Sequence, residues 1–127
     1  MLLLISDSSS STPQQLTHLI TIQDFAIQYE TSDLEFVYEN DDYLIFIDSV
    51  CVSNHTQLKT NLDNVDLHTL QNDSVMQRQV FKGDHFAVFI NKKILAITLA
   101  RDTFGIKTGY YTCRENEFLG ISNTVHD

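Results

Sequence analysis

Cys51 and His55 are the residues of this sequence whose types and spacing could most directly do chemistry. A thiolate is a strong nucleophile, and a histidine close to it can act as the base that removes its proton. The pair therefore indicates one candidate activity, that of a cysteine hydrolase. The alternative is that Cys51, like Cys113, is an inert thiol on an apolar strand, as buried cysteines usually are.

The other potential ligands do not form a metal-binding pattern. The histidines are His18, His55, His68, His85 and His126, and no two of them have the spacing of a helical histidine pair. The two cysteines also lie too far apart in sequence for a zinc or redox motif. We therefore expect neither a bound metal nor a cofactor.

Composition places the chain among globular proteins and excludes some partners. Its 127 residues are 43% hydrophobic and 20% charged, with a formal net charge of −9. Such a charge repels nucleic acids and anionic membranes, and it favours a basic peptide or protein partner. The chain lacks an apolar run of membrane-spanning length. We expect one cytoplasmic domain with reduced thiols.

Apolar periodicity predicts the elements of the N-terminal part. Residues 2–5 and 43–47 are continuous apolar runs typical of strands, the second of them a central strand, whereas 34–38 alternate as in a half-buried strand. Residues 13–29 fit a helix and a strand equally well. Asn54 is a candidate N-cap for a helix that ends near Asn64, and a second helix is expected to begin near Asp73.

The C-terminal part predicts strands joined by tight turns. Runs of strand length occupy residues 86–90, 94–99, 109–113 and 118–121. Short connections at 91–93 and 114–116 favour hairpins. We expect these four strands to form one antiparallel meander.

This meander carries a resemblance to a known family. Residues 83–90 (GDHFAVFI), a hairpin and residues 101–111 (RDTFGIKTGYY) resemble the asparagine synthetase pattern G-x-F-A-F-x, hairpin, R-D-x-x-G-x-x-P-L-Y-Y. Residues 118–122 (FLGIS) are similar to its F-x-F-A-S-E strand, and residues 43–54 are similar in position to its strand ending N-G-E-I-Y-N. The chain thus resembles a class II glutamine amidotransferase-like domain over residues 1–127, best matched at 81–125.

The resemblance implies an α+β fold of the N-terminal-nucleophile hydrolase type, with two stacked antiparallel sheets and flanking helices, here shortened. It also implies that Arg101, Asp102, Gly105 and Tyr110 belong to a structural motif of the family. Arg101 is expected to be partly buried against Asp102, and Gly105 to supply a positive φ. We expect these residues to support folding and not to react.

The family's catalytic machinery is missing from this sequence. Its nucleophilic cysteine directly follows the initiator methionine, where this chain has Leu2. Its oxyanion-hole Asn-Gly falls near Asp48 and Ser49, and an aspartate there would oppose a developing oxyanion. The family's R-H-R-G-P segment, which helps to hold glutamine, is absent as well. We therefore expect no catalytic residue and no glutaminase activity.

A shortened domain without a nucleophile is similar to the N-terminal domain of lasso-peptide cyclases. The resemblance implies a non-catalytic module that supports, or docks a substrate to, an ATP-dependent amide-forming partner of the asparagine synthetase type, in peptide maturation. The partners would be that ligase and a precursor peptide. The alternatives are a stand-alone peptide-binding or regulatory domain, and the cysteine hydrolase that uses Cys51.

Overall fold

The computed structural model describes residues 1–7, 18–33, 35–49, 54–101, 110–114 and 118–122, with the backbone alone at 7, 110–114 and 118. Within these ranges the chain forms two antiparallel sheets and three helices. The elements are β1 (Leu2–Asp7), β2 (His18–Ile22), β3 (Phe25–Glu30), β4 (Glu35–Glu39), β5 (Tyr43–Ser49), α1 (His55–Asp63), α2 (Leu67–Asn72), α3 (Ser74–Phe81), β6 (His85–Asn91), β7 (Ala96–Arg101), β8 (Tyr110–Arg114) and β9 (Phe118–Ser122).

These elements divide into two compact units. Unit 1 comprises residues 1–32 and 109–127, and unit 2 comprises residues 33–108. The predicted α+β class is confirmed at this level. The interpretation of residues 1–127 as a single domain stays a prediction.

Unit 1 contains a five-stranded sheet in the order β2-β3-β1-β9-β8. β1 is its central strand and pairs antiparallel with β3 on one side and β9 on the other. Leu3 lies opposite Ile121 and Ile5 opposite Ile27, and all four side chains are buried. The segment that fitted helix and strand equally well forms strands from His18 onward, and residues 8–17 lie outside the described ranges.

Unit 2 contains a four-stranded antiparallel sheet in the order β4-β5-β6-β7. The side chains of β5 from Tyr43 to Ile47 are all buried, at 0–5% exposure. The central position predicted for this strand is therefore confirmed. In β4, Tyr38 and the half-buried Phe36 pack against the core, as expected for the apolar face of an alternating strand. Glu35, on the other face, is also buried, at 7% exposure.

Helices α1 and α3 begin where their capping residues predicted. The side chain of Asn54 accepts a hydrogen bond from the Gln57 amide, and that of Asp73 accepts one from the Met76 amide. Each bond satisfies an amide that has no partner inside its helix. Helix α2, between them, was not predicted because Leu67 and Leu70 give too few apolar positions for a periodic signal.

The three helices pack against one face of the unit 2 sheet. Leu58, Leu62, Leu70 and Phe81 are at most 1% exposed, and they share a core with sheet residues Ile45, Ile47, Ala87 and Phe89. Burying one such large side chain contributes roughly 1.5–3 kcal/mol. This core holds α3 beside the first residues of β6, where the polar groups described below lie.

The predicted four-stranded meander is wrong. Its four strands exist, but β6 and β7 pair in the sheet of unit 2, whereas β8 and β9 pair in the sheet of unit 1. The sequence predicted two hairpins correctly and could not show that the connection between them changes sheets. The first turn also ends later than expected, because Leu95 has a positive φ of 51° and β7 begins only at Ala96.

No helix in the described part of the chain is long and apolar enough to cross a membrane.

Candidate functional site

The position that resembles the oxyanion hole lies at the end of β5, where Asp48 and Ser49 point to opposite faces of the sheet. Ser49 is 5% exposed, and its hydroxyl donates a hydrogen bond to the carbonyl oxygen of Phe81 at 2.6 Å. Phe81 is the last residue of α3, so this carbonyl is one that the helix itself leaves without a partner. The hydroxyl of Ser49 thus connects the end of α3 to the sheet.

On the other face, Asp48 belongs to a row of side chains that crosses all four strands. It lies opposite Glu35 of β4 and opposite Phe86 of β6, and Phe86 in turn lies opposite Arg101 of β7. We call Glu35, Asp48, Phe86 and Arg101 the Asp48 row. Like charges directly across an antiparallel pair repel each other, so Glu35 and Asp48 form an unfavourable pair on the strands themselves.

Asp48 and Ser49 give this position the wrong polarity for an oxyanion hole, which needs hydrogen-bond donors. Carboxylates accept hydrogen bonds and do not donate them, and the hydroxyl of Ser49 donates to the carbonyl oxygen of Phe81. A developing negative charge next to Asp48 would be repelled, whereas a cationic group would be attracted. The arrangement does not stabilise an anion.

A second polar group, which the sequence did not predict, lies at the start of β6. His85 is fully buried, with Nδ1 2.8 Å from the carbonyl oxygen of Gly83 and Nε2 3.1 Å from Oε1 of Gln77. Gln77 is 4% exposed, and its Nε2 donates to the carbonyl oxygen of Leu70 at 2.8 Å. This chain of contacts links β6, α3 and α2. The one sequence signal for it is that His85 directly precedes the continuous apolar run of β6.

Tyr38 and Asp63 form a third polar contact, between β4 and the end of α1. The Tyr38 hydroxyl donates to Oδ1 of Asp63 at 2.6 Å, and Lys59 donates to Oδ2 of the same carboxylate at 2.9 Å. Burial and this hydrogen bond raise the pKa of Tyr38 to about 12. The hydrogen bonds from Tyr38 and Lys59 lower the pKa of Asp63. The contact is structural, because it attaches α1 to the sheet.

The nucleophile position of the resembled family falls in unit 1, at the start of the central strand. Leu2 lies opposite Glu30 on β3 and opposite Ser122 on β9. The hydroxyl of Ser122 donates to the carbonyl oxygen of Met1 at 3.1 Å. An alkyl side chain cannot attack a carbonyl carbon, so Leu2 provides no nucleophile at this position.

The structural motif of the resembled family is only partly covered by the described residues. Arg101 is exposed, so the expectation that it is buried is wrong: it ends the edge strand β7, where one side of the strand faces away from the sheet. Asp102 and Gly105 lie outside the described residues. Tyr110 begins β8 and lies opposite Ser122.

The cysteine pair cannot be assembled from the described residues. His55 is exposed at the start of α1, with its ring 4.9 Å from that of Phe36, and Cys51 lies outside the described ranges. The backbone of Cys113 lies in β8. In the part of the chain that the structure describes, no group of three or more His, Cys, Asp or Glu residues could hold a metal ion.

Comparison of the chain with protein-family models, curated proteins and solved structures finds no match.

Proposed function

We propose that this chain is a non-catalytic module of the class II amidotransferase type with a shortened N-terminal-nucleophile hydrolase fold. It supports an ATP-dependent amide-forming partner of the asparagine synthetase type, or docks a precursor peptide to that partner. The α+β arrangement with two antiparallel sheets supports this proposal, as does a central strand that starts at Leu2.

The polarity at Asp48 and Ser49 is the observation that carries the non-catalytic part of the proposal. A glutaminase needs hydrogen-bond donors directed at the oxyanion of its tetrahedral intermediate. Here a carboxylate occupies one residue, and the hydroxyl of the other donates to the carbonyl oxygen of Phe81. Replacing a donor in this way removes transition-state stabilisation even where a nucleophile is supplied by another residue.

The charge of the chain supports a peptide as the docked substrate. A net charge of −9 attracts a basic peptide and repels an acidic one at low ionic strength.

A glutaminase assay tests the non-catalytic part. We expect the purified chain to release no ammonia from glutamine above a protein-free control, since both the nucleophile and the oxyanion donors are missing. The matched control is Cys51→Ala, which should behave identically. Ammonia release that disappears in Cys51→Ala would contradict the proposal and establish the cysteine hydrolase instead.

A reconstitution assay tests the partner. The chain is mixed with an asparagine synthetase-type ligase and a precursor peptide, and ATP-dependent amide formation on that peptide is followed with and without the chain. We expect the chain to increase the rate, or to lower the KM for the peptide, without consuming glutamine. A ligase whose rate and KM are unchanged by the chain would contradict the supporting role.

A further inference from the structure

β7 forms one outer edge of the unit 2 sheet. It pairs with β6 over six residue pairs, from Phe86 opposite Arg101 to Asn91 opposite Ala96. Within the described residues no strand pairs with its other side. Such an edge presents backbone N–H and C=O groups at alternate positions, which another strand can bind.

Apart from Arg101 at its end, this edge lacks the features that usually prevent strand pairing. Native edges are commonly protected by charged side chains, proline or a bulge. Residues 96–100 (AITLA) contain no charged residue, proline or glycine, and the register with β6 runs without a break. Leu99 is 39% exposed on this strand, and Ile94 is 72% exposed in the turn before it.

The charges around β7 are compatible with a second copy of the same chain. The charged residues between Asn91 and Arg101 are Lys92, Lys93 and Arg101, all basic, in a chain with a net charge of −9. Both lysines form ion pairs within their own copy, with Glu39 and Asp42. Residues 91–101 contain no Asp or Glu, so two β7 edges can meet without bringing acidic residues of these segments together.

The sequence of β7 also suits pairing with itself. When two β7 strands run antiparallel about a two-fold axis through Thr98, Ile97 lies opposite Leu99 and Ala96 opposite Ala100. Arg101 then lies opposite Leu95 and not opposite its own equivalent. No two like charges face each other, and the apolar pairs are of the kind that stabilises antiparallel strands.

We propose that β7 pairs with β7 of a second copy, which joins two four-stranded sheets into one sheet of eight strands. The interface is isologous, as in most homodimers. Because strands of six residues bury little surface, the dimer is weak, with a dissociation constant on the order of micromolar or higher. The inference does not depend on the proposed function.

Sedimentation equilibrium tests this assembly at protein concentrations on the order of 1 μM to 1 mM. We expect a reversible monomer–dimer equilibrium that tightens as salt is added, because salt screens the repulsion between two acidic copies. Leu99→Lys should raise the dissociation constant at least about tenfold, since it places two cations at the centre of the pair.

The matched control is Leu19→Lys, on the edge strand β2 of the other sheet, where Leu19 is 65% exposed. This variant should dimerise like the unmodified chain. Ala96→Lys, at a second exposed position of β7, should reproduce the effect of Leu99→Lys, so that misfolding of one variant does not decide the result. Far-UV circular dichroism checks that each variant is folded.

Three results would overturn the inference. The first is a protein that stays monomeric at every concentration, whether or not it binds an extended peptide along β7. The second is a dimer that Leu19→Lys weakens and Leu99→Lys does not. The third is a dimer that folded Leu99→Lys and Ala96→Lys variants both leave intact.

Discussion

Tyr38 is buried in the sheet of unit 2 and donates a hydrogen bond to Asp63 of α1, and both effects make stability depend on pH. Its pKa is raised from 10.0 to about 12, mainly by burial and then by the hydrogen bond to Asp63. A folded-state pKa above the unfolded value adds stability that is fully present below pH 10 and is lost as the pH rises through 12. A pKa shift of this size corresponds to a contribution of about 2–3 kcal/mol at most to the free energy of unfolding.

Tyr38→Phe should therefore flatten the alkaline limb of the stability curve. We expect the free energy of unfolding in urea to fall between pH 10 and pH 12 more steeply in the unmodified chain than in the variant. The lowered pKa of Asp63 acts in the opposite range, because its stabilisation is present above the unfolded pKa and is lost as the pH falls through the lower folded value. Parallel alkaline limbs for the two proteins would show that Tyr38 is not held by this contact.

Lys92 makes more contacts within the fold than Arg101, which the resemblance had placed in a buried position. Lys92 is 22% exposed, and its ammonium group donates to both Glu39 and the carbonyl oxygen of Asn40, which ties two neighbouring turns together. Arg101 is exposed at the end of an edge strand.

Lys92→Ala should therefore lower the urea midpoint more than Arg101→Ala does. The free energy of unfolding should fall by about 1–2 kcal/mol in Lys92→Ala, because Lys92 has a charge-assisted bond at a half-buried position. It should fall by less than about 0.5 kcal/mol in Arg101→Ala, because Arg101 is exposed. The two unfolding curves are compared at one pH and salt concentration. A larger loss for Arg101→Ala would restore the buried role that the resemblance implied.

At the scale of elements, the hydroxyl of Ser49 attaches α3 to the sheet. Removing it leaves the Phe81 carbonyl buried without this donor, which costs about 1–3 kcal/mol. We expect Ser49→Ala to lower the thermal midpoint and to increase hydrogen exchange in α3. The matched control is Thr60→Ala, which removes a hydroxyl-to-carbonyl bond to Thr56 on the exposed side of α1 and should change little. Equal effects of the two substitutions would mean that the bond to Phe81 is dispensable.

The elements that the sequence predicted are those with strong local signals. Asn54 and Asp73 mark helix starts because an N-cap acts within its own turn. β5 is recognisable because its first five residues, 43–47, are all apolar. The burial of Glu35 and the contact of His85 with Gln77 depend on strand register and helix docking. Neither the strand register nor the helix docking can be predicted from local sequence patterns.

At the scale of the whole molecule, pairing between sheets was the part that could not be predicted. Hairpins follow from short connections, but the sheet that a hairpin joins is decided by long-range contacts. β6 and β7 join β5, whereas β8 and β9 join β1 at the other end of the chain. The sequence pointed to Asp48 and Ser49, but it could not show that Asp48 lies opposite Glu35 or that Ser49 bonds to Phe81. Both contacts join residues that are distant in the sequence.

The central position of β1 affects how the protein is made. Leu2 pairs with Glu30 of β3 and with Ser122 of β9. The first partner is close to β1 in the sequence, whereas the second is far from it and is therefore synthesised much later. The ribosome adds residues 31–122, which are 92 residues (122 − 30), in about 5–20 s at typical elongation rates. During that interval the apolar run of β1 has one bare edge, while residues 33–108 can already complete their own sheet. We therefore expect the apolar run of β1 to be open to chaperone binding until β9 emerges.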